Sequence, residues 1–243
     1  MTAALGWGAL ASSSLVIGAL LGLVRQWPER AIGVVLAFGA GALISAVSFD
    51  LAQEGVQLGG SDFVALGLAI GALTYYLADR VIEHFGQPDT TASTVLQTNG
   101  DGGSALALGA LLDGIPEQMV LGIGLVTGNG AGIGLLAAIF ISNLPEAVGS
   151  ATEMRTAGRS RATVIRLWII VALLCTLATV IGYSIADVTS GSLQASINGF
   201  AAGALLVMLI DSMIPDAACK AGKVAGLATA FGFAVAAGLS SIG

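Results

Sequence analysis

Asp113-Gly114-Ile115-Pro116-Glu117 and Ser142-Asn143-Leu144-Pro145-Glu146 place acids and prolines inside runs that are otherwise apolar, with Pro and Glu in the same register in both. Asp113 and Glu117 are four residues apart, as are Ser142 and Glu146, so on a helix each pair shares one face a turn apart. Each proline removes a backbone donor, which frees the carbonyl of Leu112 or Ile141 as a further acceptor and favours a bend. Three carboxylates, a hydroxyl, the Asn143 amide and these carbonyls form a set of oxygen ligands. An ionised carboxylate at the centre of a bilayer costs at least about 2.5 to 3.5 kcal/mol, and several together repel one another. Neither run contains Lys or Arg, so the counter-charge must come from protons or a cation. A divalent metal suits carboxylate and carbonyl oxygen. The competing reading keeps the acids protonated, as hydrogen-bonding glue between helices. Catalysis fits less well: Ser142 has no His or Lys base near it in the chain, and two acids one turn apart on one helix are poor geometry for a carboxylate dyad.

The elements that must hold these groups are set by composition. Of 243 residues, 56% are hydrophobic and 10% charged, with a mean hydropathy of +0.91, which describes a membrane protein and excludes an ordinary soluble domain. Eight apolar runs approach the ~20 residues that a spanning helix needs: Leu5 to Val24, Ala31 to Phe49, Phe63 to Leu77, Ser104 to Thr127, Ala131 to Ala151, Ile165 to Ala186, Leu193 to Ile214 and Val224 to Ile242. They are continuously apolar instead of alternating, so helices are expected over a β-barrel. The fold expected is all-α, an eight-transmembrane-helix bundle forming one integral-membrane domain over residues 1–243. The polar stretch 79–103 reads as a flexible cytoplasmic loop. No Lys or Arg precedes the first run, so it reads as a span and not as a signal peptide.

To within two residues of the run boundaries, all nine Lys and Arg fall in the connections after runs one, three, five and seven: Arg25 and Arg30, Arg80, Arg155 through Arg166, then Lys220 and Lys223. That side is cytoplasmic under the positive-inside rule, so both termini are expected outside the cytoplasm, in a plasma or bacterial inner membrane. The 35 glycines are read as packing residues that let helices approach closely. "FGAGALI" from Phe38 and "FAAGALL" from Phe200 match at five of seven positions, and an acid, Glu54 or Asp216, follows each Phe by sixteen residues. This suggests an inverted repeat of runs 1–3 and 6–8, with substrate binding near the midplane. Cys175 and Cys219 show no paired spacing and read as small core residues. His84 reads as a solvated loop residue, and Asp101 lacks the spacing of a calcium loop. Asp50, Glu54, Asp211 and Asp216 read either as acids that attract cations along a path or as polar residues at helix ends.

At its two Pro-Glu stretches the chain resembles the ZIP family of divalent-metal transporters, whose fourth and fifth helices carry His-Asn-x-Pro-Glu-Gly and His-x-x-Pro-Glu-Gly. "FAAGALLVMLIDSMIPDA" is similar to the family's seventh helix and "FGAGALISAVSFDLAQEG" to its second. The resemblance implies eight spans in a 3+2+3 arrangement, alternating access and a metal path through helices four and five. Pro116, Glu117, Pro145 and Glu146 match the motif directly. Asp113 and Gly114 stand where His and Asn are usual, Ser142 and Asn143 are the corresponding pair in helix five, and Gln118 and Ala147 replace the glycines. A glutamate found in the family's sixth helix, associated with a second metal, has no evident counterpart between Ile165 and Ala186. The expected metal ligands are Asp113, Glu117, Ser142, Asn143 and Glu146. Such oxygens suit manganese, magnesium or calcium better than zinc or iron, which prefer some nitrogen or sulfur. The implied function is transport of divalent cations, with a non-transporting metal sensor or scaffold as the alternative. The expected partners are the metal, as transported substrate, and membrane lipid, with a homodimer to be considered. Neither an enzymatic activity, a resident cofactor nor a nucleic acid is expected.

Overall fold

A computed structural model describes residues 1–86, 102–127, 131–187 and 191–240, with side chains for 1–81, 114–126, 133–186 and 191–240. All regular structure among the described residues is helical: α1 (Thr2–Val24), α2 (Glu29–Ala46), a π-helical segment π1 (Val47–Gln53), α3 (Glu54–Gly59), α4 (Ser61–Gly86), α5 (Gly102–Thr127), α6 (Ala131–Thr156), α7 (Arg161–Asp187), α8 (Gly191–Met208), a second π segment π2 (Leu209–Met213), α9 (Ile214–Ala221) and α10 (Val224–Ser240). A helix satisfies its backbone groups within the segment, the requirement that lipid imposes.

Six stretches among the described residues are long and apolar enough to cross a membrane: Thr2–Val24, Glu29–Gly59, Ser61–Val81, Ile133–Thr156, Arg161–Ala186 and Gly191–Ala221. Gly114–Val126, within α5, and Val224–Ser240 are apolar but shorter. Large apolar side chains face outward, including Leu66, Ile70 and Leu73 on α4 and Ile170, Leu173 and Leu177 on α7. The surface is apolar where a soluble protein would be charged, so this is an integral membrane protein.

Several helices run past the ends expected from hydropathy. The second extends from Glu29 to Gly59, so Asp50 and Glu54 are within it, each only 7% exposed, and do not cap an interfacial end. The chain stays helical through these acids because π1 widens the coil by a turn of i→i+5 pairing instead of ending it. Asp211 is exposed on π2, and Asp216 on α9 pairs with Lys220 at 2.7 Å. α4 reaches Gly86 and α5 begins at Gly102, so helix enters both sides of the stretch expected as a loop over 79–103. His84 falls in α4 with its side chain outside the described set, and Asp101 lies outside the described residues.

The internal repeat extends to packing. π1 begins nine residues after Phe38 and π2 nine residues after Phe200, inside composite helices of 31 residues each. A Cβ on Gly41 would strike the Thr229 carbonyl of α10, and one on Gly203 the Leu68 carbonyl of α4. In return the Phe38 carbonyl faces Gly232 of α10, and the Phe200 carbonyl faces Gly71 of α4. The crossings of α2 with α10 and of α8 with α4 are therefore built alike. Taken by their most extensive contacts, α1 packs with α6 and α7 and α5 with α7, while α2 packs with α10 and α8 with α4; the composite helices Glu29–Gly59 and Gly191–Ala221 join the latter two pairs into a second group, through α2 with α9 and α3 with α8. The groups meet chiefly where α2 lies against α6.

Candidate metal centre

α6 reaches the centre of the molecule because small residues on its neighbours let it in. A Cβ on Gly39 of α2 would stand 2.8 Å from the Ser142 Cα, and one on Gly18 of α1 would stand 2.8 Å from the Ala147 Cβ. Further along, the Arg155 guanidinium donates to the Leu23 carbonyl at 2.5 Å, which ties α6 to the last turn of α1. α5 is registered against α7 by Gly122 and Gly182, each opposing the other helix's backbone. A buried side-chain bond adds to this: the Thr179 hydroxyl donates to Gln118 Oε1 at 2.7 Å, and both residues are 0% exposed.

Between these supports Glu117 of α5 and Ser142 of α6 come together. Glu117 is 1% exposed and Ser142 0%. The Ser142 hydroxyl lies 3.5 Å from Glu117 Oε1, at the outer limit of a hydrogen bond, and 3.0 Å from the Ile139 carbonyl, the nearer acceptor. Asn143 is buried beside Ser142, and its Nδ2 has no partner among the described residues. Glu146, one turn after Ser142, is half-buried. Pro116 and Pro145 both lie inside continuous helices. Asp113 belongs to α5 four residues before Glu117, and its side chain is outside the described set. Among the described residues no three His, Cys, Asp or Glu side chains stand close enough together to hold a metal ion. Of the expected ligands, then, Glu117 and Ser142 meet, while Glu146 and Asn143 flank them on α6.

Three features of this centre had no signal in the sequence. Gln118 stood out only as a replaced glycine, and nothing marked Thr179, 61 residues away, as its partner. Gly39 was one small residue among many, yet it is the one beneath Ser142. Cys175 looked like filler, but its sulfur faces α5 at Gly114, three residues before Glu117.

No family model matches the chain. It is 30% identical over 211 residues, 84% of its own length, to a proposed zinc transporter of Arabidopsis thaliana, and spans 32% of that relative's length. Together with the paired Pro-Glu motifs of α5 and α6, this similarity supports the resemblance of the chain to ZIP-type transporters.

Proposed function

We propose that the chain carries divalent metal cations, such as zinc, iron or manganese, across a membrane by alternating access. The observation that carries this reading is the meeting of buried Glu117 on α5 with Ser142 on α6, inside an apolar bundle. A carboxylate so placed needs a counter-charge, and a cation stripped of water needs such ligands. The Arabidopsis relative's name supports the same cargo class. The ligand set is Asp113, Glu117 and Glu146 with Ser142 and Asn143 assisting. Eight spans in a 3+2+3 order put both termini outside the cytoplasm, as the one-sided basic residues require. The two packing groups support sliding of α1, α5, α6 and α7 against the rest. The metal is substrate, no resident cofactor or enzymatic step is involved, and a homodimer is the assembly to test.

The test is uptake of a panel of divalent cations into proteoliposomes. Replacing Glu117 or Glu146 by Ala should reduce flux to background while the protein still inserts and elutes as a single species. Normal uptake by both variants would sink the site. One observation favours a sensor or scaffold instead: no three metal-binding side chains converge among the described residues. That reading requires cation binding by the purified protein without flux.

A further inference from the structure

Lys220 of α9 lies at the seam between the two helix groups, where α2 meets α6. Its stem crosses α2 at a residue without a side chain: a Cβ on Gly33 would stand 2.6 Å from the Lys220 Cβ and 2.7 Å from the Ala221 nitrogen. Its ammonium ends against α6, again at a glycine, since a Cβ on Gly149 would stand 3.8 Å from Nζ. Gly33 and Gly149 thus clear a passage by which a side chain of one group reaches a helix of the other. An ammonium has three donors, and the carboxylate it meets among the described residues is that of Asp216, on its own helix, at 2.7 Å. The carboxylate across the seam is Glu153, half-buried on α6 four residues after Gly149 and so on the same face one turn further on. Lys220 is the strongest charge acting on Glu153, opposed by Asp216 and Glu29. The two attract each other, yet in this arrangement Lys220 is paired with Asp216.

We propose that Lys220 is an ionic switch between the two helix groups, held by Asp216 in the arrangement seen and taken over by Glu153 when α6 slides one turn along α2. A slide of about 5.4 Å, one helical turn, carries Glu153 to the level that Gly149 occupies beside the ammonium. The proposal rests on the transport reading, which supplies the motion that the switch serves. Both partners are carboxylates, so the ammonium keeps a counter-charge in either arrangement and no bare cation is left in the seam. Asp216 is the more exposed of the present pair, with 46% of its side chain open against 19% for Lys220, and it faces water when it is given up. Two discrete pairings give two discrete positions, as in other one-turn ratchets between packed helices.

Distances between nitroxide labels on Cys219, which is exposed, and on a cysteine placed at exposed Thr156 test this in the purified full chain. Cys175 is fully buried and takes no label. Pulsed electron resonance should give two distances in protein otherwise unchanged, one matching the arrangement seen and one displaced. Glu153→Gln should lower the share of the displaced distance at least about fivefold, the shift made by an ion pair at the upper end of surface strengths. Exchanging the charges, Glu153→Lys with Lys220→Glu, should recover it. Divalent-cation uptake should fall with Glu153→Gln and return with the exchanged pair. A single distance, or a distribution that Glu153→Gln leaves unchanged, overturns the switch. So does an exchanged pair that inserts and elutes as one species without recovering the displaced distance; should that double variant fail to fold, the result with Glu153→Gln decides alone. If Glu117→Ala and Glu146→Ala still stop flux in those cases, the transport reading stands without the switch. Two distances that follow the charges in protein that moves no ion keep the switch and overturn transport.

Discussion

Thr179 and Gln118 show how much a single buried contact can decide at the centre of a membrane protein. The hydroxyl is the only partner of the carboxamide oxygen among the described hydrogen bonds, and both side chains are fully buried. Thr179→Val should leave that oxygen unpaired in a dry interior and cost about 1 to 3 kcal/mol, the penalty for an unmet buried polar group. Thermal unfolding in detergent measures this as a lower midpoint. Adding Gln118→Leu should recover most of the loss, because removing both polar partners is nearly neutral. A Thr179→Val protein as stable as wild type would show that the carboxamide finds another partner. The acids themselves were legible in the sequence, because two Pro-Glu pairs in apolar runs are hard to explain otherwise. Their support was not, because Thr179 and Cys175 look like any small residue of a spanning helix.

At the scale of helices, glycines divide into those at crossings and those facing open space, and composition alone treats the two alike. A Cβ at Gly122 of α5 would enter the backbone of α7, whereas one at Gly226 of α10 meets nothing within 4 Å. Gly122→Ala should therefore destabilise the protein by about 1 to 3 kcal/mol through overpacking. Gly226→Ala should stabilise it by about 0.5 to 1 kcal/mol, the helix-interior difference between the two residues. Melting curves of the two variants that shift in the same direction would contradict the packing described for α5 and α7. The repeated Phe motif was visible in the chain, but the two π segments nine residues after it were not. Apolar periodicity reports which face is buried, and a single widened turn inside a uniformly apolar helix leaves almost no trace in it.

For the molecule as a whole, proposed transport requires the two helix groups to move against one another where α2 meets α6. Ile32 of α2 and Gly149 of α6 oppose each other there, a Cβ on Gly149 standing 4.0 Å from Ile32 Cγ2. A disulfide between cysteines placed at both positions, in a Cys219→Ser background and verified by a free-thiol count, tests this. Oxidation should stop metal flux into proteoliposomes, and reduction should restore it. Full flux through the cross-linked protein would mean that this interface does not slide.

Composition, the run of apolar segments and the one-sided basic residues were enough to establish a helical membrane protein and to single out Glu117 and Glu146. These are properties of the solvent and of each helix alone: lipid demands helices, and a charge inside an apolar run stands out without knowledge of its neighbours. Which helices group together, how far each extends, and that Ser142 meets Glu117 while Cys175 turns toward α5 were decided in three dimensions. In lipid no hydrophobic force selects one helix partner over another. Selection falls to the close fit of backbones at particular glycines, and that fit exists only once the helices have been placed side by side.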